Sequence, residues 1–295
     1  MNTFKSYHPI VNFIYFVFII GFSCFLMHPI CLMLSLLCSF SYSVFLKGKK
    51  AFKTNLLYLL PMLLIAPLVN LLLNHEGVTI LCYFPDGNPL TLESFLYGLA
   101  ATAMIASVIC WFSCYNNIMT SDKFIYLFGK IIPSLSLILT MTFRFIPRFI
   151  DQLKTVSHAQ KCLGRDITSG SLITRAKHGI HILSIMTTWM LENAIETSDS
   201  MKSRGYGLPG RTAFSIFKFD ARDLKALIFE LLLGIYILVG SVTGHFDFYY
   251  FPSLEKMDSS TYNTSLFVAY FLLCLFPIVV EFLEVKKWNA LKSNI

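Results

Sequence analysis

Residues 10–46 read IVNFIYFVFIIGFSCFLMHPICLMLSLLCSFSYSVFL and contain no aspartate, glutamate, lysine or arginine. As one continuous helix, these 37 residues would be about 55 Å long, roughly twice the thickness of the hydrocarbon core of a bilayer. The stretch therefore predicts a hairpin of two short membrane-spanning helices, with the turn at His28-Pro29.

Four more uncharged or nearly uncharged runs have the length of a membrane span, at residues 54–74, 95–114, about 224–243 and 265–283. Hydrophobic residues make up 55% of the chain and charged residues 14%, with a mean hydropathy of +0.63. An average soluble domain has roughly 25% charged residues, so this composition excludes an ordinary soluble protein. The fold class predicted is an all-α membrane protein with about six transmembrane helices.

The distribution of basic residues predicts an orientation with both termini in the cytoplasm, because lysine and arginine are retained on that side. With six spans and an inner N-terminus, all 24 lysines and arginines lie inside except Lys256. The loop at 75–94, predicted to lie outside, carries Glu76, Asp86 and Glu93 and no basic residue. The opposite orientation would violate the rule nearly everywhere.

Segment 115–222 is polar enough to contact water and periodic enough to be helical, so we expect it to carry the function. Along its first predicted helix, charged residues recur at spacings of four, three and three and share one face: Arg144, Arg148, Asp151 and Lys154. A second helix is predicted from about 173 to 201, where a glycine-rich stretch ends it.

The sequence thus divides into three predicted domains. Residues 1–114 hold transmembrane helices 1–4, residues 115–222 form a cytoplasmic module of two long helices, and residues 223–295 hold transmembrane helices 5–6 and a cytoplasmic tail.

Ionisable groups deep in a membrane usually mark chemistry, and the first four spans have none. The last two spans contain Glu230 and Glu281, which we expect to lie near the cytoplasmic end and to snorkel or pair with Lys225 or Lys286. An ion-coupled carrier and an intramembrane acid protease are therefore disfavoured. No catalytic, metal-binding or cofactor-binding site is predicted, so we do not expect an enzyme.

The tripeptide Ser203-Arg204-Gly205 suits a helix end that docks onto another protein. Serine permits close approach, arginine offers a fork of donors to a carboxylate, and glycine can take the left-handed conformation that ends a helix. Alternatively, Arg204 simply complements the dipole at the helix C-terminus, worth about 0.3–1 kcal/mol. Local physics leaves both interpretations open.

Several short stretches, taken in order, resemble one family. They are Tyr7-His8-Pro9, the stretch from Asn74 through Asp86-Gly87 to Glu93, Met119 to Lys123, Arg144 to Arg148, Ala159-Gln160-Lys161 and Met201 to Gly207. Over about residues 8–222 the chain resembles the transmembrane T component of energy-coupling-factor (ECF) transporters, the cobalt-transport permease-like family.

This resemblance implies a scaffold without its own enzymatic activity. It would couple two cytosolic ABC ATPase subunits to a separate substrate-binding S component in the membrane, for uptake of a vitamin or a metal ion. The two long cytoplasmic helices would be coupling helices, each ending in a small-Arg-small tripeptide that sits in a groove of one ATPase. The implied location is the plasma membrane of a prokaryote, with the lipid bilayer and these subunits as partners and no nucleic acid.

Carried over to this sequence, the resemblance places the second tripeptide at Ser203-Arg204-Gly205 and the first at Cys162-Leu163-Gly164. The central arginine is missing from the first, although Lys161 and Arg165 flank it. We expect Arg204 to be the dominant electrostatic anchor, and the first helix to dock mainly through packing by Cys162, Leu163 and Gly164.

Two other functions stay open at this stage. One is an ABC importer permease that forms its own substrate path, although two coupling tips in one chain favour the T component. The other, from a different class, is a membrane enzyme with an interfacial site of histidine or cysteine residues.

Overall fold

The computed structural model of the chain describes residues 3–83, 89–129, 133–208, 217–254 and 260–292. Asp86-Gly87 and Lys256, used above, lie outside these residues. A 3-10 helix at Phe4–Ser6 precedes the helices α1 (Pro9–Phe25), α2 (Pro29–Lys47), α3 (Lys49–Leu73), α4 (Leu92–Ile118), α5 (Ser121–Gly129), α6 (Pro133–Cys162), α7 (Leu172–Ser203), α8 (Ala221–Val242) and α9 (Thr261–Lys292). Strands β1 (Ile80–Tyr83) and β2 (Pro89–Thr91) form one antiparallel pair before α4.

The predicted all-α membrane fold is confirmed. Five of the described helices are long and apolar enough to cross a membrane: Pro29–Lys47, Lys49–Leu73, Leu92–Ile118, Ala221–Val242 and Thr261–Lys286. The first predicted span corresponds to α1, an apolar helix of 17 residues, which is at the short end of the range for a span.

The described residues form two compact units. The span unit comprises residues 3–124 and 217–292, and contains α1–α4, α8, α9 and the β1–β2 hairpin. The hairpin unit begins at residue 125 and contains α6 and α7. Since α5 runs across residues 124 and 125, it is the chain connection from the span unit into the hairpin unit.

A His-Pro pair begins both of the first two helices. His8 precedes Pro9 at the start of α1, and His28 precedes Pro29 at the start of α2, as the predicted turn requires. In each pair the histidine Nδ1 atom accepts a hydrogen bond of 3.3 Å from the amide two residues later. The proline then fits the first helical turn, where its missing N–H is not needed.

Hydroxyl groups join the spans at the centre of the span unit. Ser35 of α2 lies 2.7 Å from the Ser23 hydroxyl of α1 and accepts a 3.0 Å bond from the indole nitrogen of Trp111 in α4. Tyr270 of α9 lies 3.3 Å from the same Ser23 hydroxyl. Four helices are thus linked by hydrogen bonds whose polar groups are fully buried, which fixes their register.

Close packing of α3 against α4 depends on Gly98. A methyl group at this position would lie 2.9 Å from the Asn70 side chain and 3.0 Å from the backbone of Pro67. Asn70 also donates a 2.7 Å hydrogen bond to the Ser94 carbonyl. Small residues commonly allow such approach between membrane helices.

Candidate functional site

The hairpin unit consists of two long antiparallel helices. Arg165, just after α6, lies 2.9 Å from the imidazole of His181 in the first half of α7. At the other end of α7, Arg204 lines a cleft together with Arg144 and Arg148 of α6. The C-termini of α6 and α7 therefore lie at opposite ends of the hairpin, and Arg204 is 23 positions after His181, which corresponds to about 35 Å of helix.

The C-terminus of α6 closes with a left-handed glycine. Gly164 has φ +78°, and its amide donates to the Lys161 carbonyl at 3.0 Å. The next amide, of Arg165, donates back to the Gln160 carbonyl at 3.0 Å. These two bonds define a Schellman motif, in which Leu163 is the residue immediately before the left-handed glycine.

The C-terminus of α7 closes in the same way. Gly205 has φ +79°, as the sequence predicted, and its amide donates to the Lys202 carbonyl at 3.0 Å. The amide of Tyr206 donates to the Met201 carbonyl, also at 3.0 Å. Arg204 is the cap residue, with φ −87° and ψ 11°.

The two predicted tripeptides consequently occupy equivalent positions in equivalent helix ends. Cys162-Leu163-Gly164 and Ser203-Arg204-Gly205 match residue by residue with respect to the left-handed glycine and its two hydrogen bonds. The structure places an exposed leucine, 69% accessible, where the other end has an exposed arginine. We call these helix ends tip 1 (residues 161–165) and tip 2 (residues 202–206).

The two cations of tip 1, Lys161 and Arg165, both have partners within the chain. Lys161 lies 3.1 Å from a carboxylate oxygen of Asp166, whose other oxygen accepts from the amide and hydroxyl of Thr168 at 2.9 and 2.8 Å. The hydrogen bonds from Thr168 and the Lys161 ammonium lower the pKa of Asp166 to about 2. Asp166 is therefore ionised at neutral pH and offsets the charge of Lys161.

Arg165 faces away from tip 1 toward α7, since its guanidinium group donates to the Nε2 atom of His181. It contributes with His181 and Lys177 to the lining of a surface cleft at this end of the hairpin. Cys162 and Leu163 are both exposed, and the side chain of Lys161, although paired, is 61% exposed beside them. Tip 1 therefore presents two exposed apolar side chains beside cations that have partners within the chain.

Tip 2 lies beside a cluster of arginine side chains that was not predicted from the sequence. Arg204 borders a cleft of about 330 Å³, and Arg144 and Arg148 line it from α6. Glu196 is the acidic residue that lines this cleft. Three guanidinium groups against one carboxylate give the cleft a net positive charge, which suits a carboxylate from another chain. Part of this cluster could have been found in the sequence, because the four-residue spacing of Arg144 and Arg148 places both arginines on one face of a helix.

Two buried acids of the span unit differ from the expectation that they would snorkel or pair with lysine. Glu281 in α9 is fully buried and accepts from the backbone amides of Thr3 and Phe4 at 3.0 and 3.2 Å. Glu230 in α8 is also fully buried, and neither of its carboxyl oxygens has a hydrogen-bond partner among the described residues. For Glu281 the prediction was wrong because it considered positions along the helix and omitted the N-terminal segment that contacts α9; for Glu230 it was wrong because burial keeps the carboxyl group away from lysine.

Comparison with known proteins matches residues 1–214 to the family described as cobalt transport protein (CbiQ). This match covers well over half of the chain. The chain belongs to this family. The CbiQ match and the names of the relatives confirm the resemblance to T components that the sequence motifs indicated.

Individual relatives of this CbiQ-family chain carry the name energy-coupling factor transporter transmembrane protein EcfT. The protein from Lactobacillus helveticus is 34% identical over 109 residues, which are 37% of this chain and 39% of the relative. Those from Lactococcus lactis subsp. cremoris and Staphylococcus aureus are each 32% identical, over 108 and 111 residues, covering 36% and 37% of this chain and 41% of each relative. The matched stretch thus spans about two fifths of the length of these relatives.

Proposed function

We propose that this chain is the transmembrane coupling subunit of an ECF-type importer. In this role it transmits ATP-driven motion from two cytosolic ABC ATPases to a membrane-embedded S component that binds a vitamin or a metal ion. The observation that carries the proposal is the pair of equivalent, exposed helix ends at opposite ends of one hairpin. The names of the relatives support the same assignment.

Two separated tips suit two partners better than one. Tip 1 and tip 2 lie about 35 Å apart along α7, so each can enter a groove on a different ATPase subunit. When the ATPases close on ATP, both ends of a stiff antiparallel hairpin move together as a rigid body. The chain itself needs no catalytic group for this task, because ATP hydrolysis takes place in the partners.

The two docking sites are expected to differ in their chemistry. Arg204 supplies a guanidinium group beside Arg144 and Arg148, so tip 2 docks onto an acidic groove. Leu163 occupies the equivalent position of tip 1, where the charge of Lys161 is offset by Asp166. Tip 1 therefore docks through apolar packing of Leu163 and Cys162, and Arg204 is the stronger electrostatic anchor.

The proposal also includes an orientation in the membrane. Both termini and the segment at 115–222 lie in the cytoplasm, where the ATPases are, and the β1–β2 hairpin faces outward. The distribution of lysine and arginine supports this orientation, since the loop at 75–94 contains neither. The membrane is the plasma membrane of a prokaryote.

The experiment that tests this function is purification of the tagged chain from its native membrane in detergent, with identification of co-purifying chains by mass. Wild type should retain two ATPase subunits and a small hydrophobic S component, whose identity then points to the substrate. Arg204→Glu should lose ATPase, because it places a carboxylate against an acidic groove. Lys202→Glu is the matched control, since it makes the same charge change two residues away on the same helix end.

Absence of any ATPase from the wild-type purification would contradict the proposed function. A larger loss on Leu163→Ala than on Arg204→Ala would instead contradict only the ranking of the two anchors. Equal loss on Lys202→Glu and Arg204→Glu would show that net charge, and not the cap position, governs docking.

A further inference from the structure

The six residues Thr3 to His8, ahead of the first span, are held in place by side chains from distant helices. Phe4 is fully buried, and Tyr7 and His8 are nearly so. Chain termini that are not tied down are usually poorly ordered, so this degree of burial requires specific contacts.

Two carboxylates hold the backbone amides of this segment. Glu281 of α9 accepts from the amides of Thr3 and Phe4, at 3.0 and 3.2 Å. Asp223 in the first turn of α8 accepts from the amide of His8 at 3.2 Å and also takes part in the capping box of α8. Hydrogen bonds to ionised groups are roughly twice as strong as neutral ones.

One ammonium group holds the carbonyls of the same segment. Lys123 of α5 is 4% exposed and donates to the carbonyls of Lys5 and Tyr7. With the Asn12 amide oriented to satisfy its neighbours, its oxygen accepts from Lys123 at 2.6 Å and its nitrogen donates to the Phe4 carbonyl at 3.1 Å. Three acceptors therefore surround the Lys123 ammonium.

These contacts lie where the chain passes between its two units. Lys123 is two residues before the hairpin unit begins, and Asp223 follows soon after the chain returns at residue 217. The His8 ring also packs edge-on against Phe219, with ring centroids 5.1 Å apart. One short segment thus contacts the chain both just before it leaves the span unit and just after it returns.

We propose that residues 3–8 form a clasp that joins these two connections, and that Lys123 is the positioning residue through which the clasp makes the hairpin unit move the span unit. The inference rests on the proposed function, because it concerns how motion at the tips reaches the spans. With the clasp closed, α5 and the start of α8 move with the span unit as one body. With the clasp open, α5 and the start of α8 bend independently, and motion of the hairpin unit does not reach the spans.

Charged groups of α8 and α9 lie around Lys123 and the clasp. Burial and, to a smaller extent, the Lys5 ammonium lower the pKa of Lys123 to about 8 against the opposing effect of the Asp223 carboxylate of α8. On the far side of the segment, the guanidinium group of Arg222 lies 4.3 Å from the centre of the Tyr7 ring and pairs with Glu284 of α9 at 3.7 Å. Lys123 is held by carbonyls and an amide, so removing its ammonium leaves buried acceptors without a donor.

The test uses the complex that co-purifies with the full chain and the variant Lys123→Met, with Lys225→Met as the control. Lys225 is an exposed lysine of α8. Two quantities are measured for each complex: the rate of ATP hydrolysis per assembled complex, and the change in hydrogen exchange of span-unit peptides between the nucleotide-free and ATP–vanadate states. The clasp predicts that Lys123→Met keeps the ATPases and their hydrolysis but loses the ATP-dependent change in the spans. Lys225→Met should keep both the hydrolysis and the ATP-dependent change in the spans.

Because Lys123→Met can also reduce folding, Glu281→Gln gives a second, isosteric test from another helix. It replaces one of two acceptor oxygens by a donor and should reduce the ATP-dependent change in the same direction. The clasp is overturned if either variant keeps the full ATP-dependent change, or if hydrolysis per assembled complex falls in parallel with that change. A wild-type complex that shows no ATP-dependent change in the spans would contradict the proposed function itself.

Discussion

Substitution of Gly164 by alanine tests whether α6 ends as described, and its effect can be worked out from the structure. Gly164 has φ +78°, a conformation that costs an alanine about 1–2 kcal/mol. An added methyl group would meet nothing within 4 Å, so no steric term accompanies this cost. The closing hydrogen bond from Arg165 to Gln160 should therefore open about 5 to 30 times more often, and hydrogen exchange at the end of α6 should accelerate by that factor.

Gly179 in α7 is the matched control for this substitution. It also has no atom within 4 Å of an added methyl group, but it lies inside a helix with ordinary negative φ. Gly179→Ala should therefore stabilise α7 by about 0.5–1 kcal/mol and slow exchange around it. Gly205→Ala should resemble Gly164→Ala, since φ is +79° and the methyl group would lie 3.3 Å from Leu208. If Gly164→Ala left exchange unchanged or slowed it, the equivalence of the two tips would be refuted.

Four other substitutions have defined outcomes. In thermal melts, Glu230→Met should raise the free energy of unfolding by about 1–3 kcal/mol because it removes a buried carboxyl group that has no hydrogen-bond partner among the described residues, whereas Glu281→Met should lower it by a similar amount because two amides lose their acceptor. The pKa of Lys123 is about 8 in the folded chain against 10.5 ordinarily, so between these values the unfolded chain binds more protons at this residue and the contribution of Lys123 to stability rises with pH, by about 1 kcal/mol per pH unit; in melting curves the difference in free energy of unfolding between wild type and Lys123→Met should shift in favour of wild type by that amount. Arg148→Ala should weaken ATPase retention in the pull-down by about fivefold or less at low salt, and its difference from wild type should disappear at high salt. If retention were the same with and without Arg148 at every salt concentration, the cleft that Arg148 shares with Arg204 would not take part in docking.

The spans could be predicted from the sequence because hydrophobic length is a local property. The charge-free run at 10–46 and the turn at His28-Pro29 correspond to α1 and α2, with α2 beginning at Pro29. The end of α7 could also be predicted from the sequence, because Gly205 follows a long helical pattern and ends the helix in the left-handed conformation. For the first helix of segment 115–222 the sequence identified only the charged face at 144–154, whereas α6 starts at Pro133 and continues through Pro147 to Cys162.

Long-range contacts could not be predicted in the same way. The partner of Glu281 is the backbone at residues 3 and 4, more than 270 positions away, and no periodicity in α9 signals it. The three-arginine cleft required knowing that α6 and α7 are antiparallel, which sets Arg144 beside Arg204. In the sequence Lys123 is one basic residue among many, although burial together with backbone acceptors distinguishes it from the other basic side chains that the structure describes.

Photo-crosslinking from the two tips tests the coupling account most directly. Benzoylphenylalanine is placed at Leu163 of tip 1 or at Tyr206 of tip 2, both exposed, and at Tyr83 of β1 as a control on the side predicted to face outward. Irradiation of native membranes should join Leu163 and Tyr206 variants each to an ABC ATPase subunit, and the Tyr83 variant to none. Crosslinks from both tips to lipid alone, or ATPase crosslinks of equal yield from Tyr83, would contradict the claim that these helix ends dock onto the ATPases.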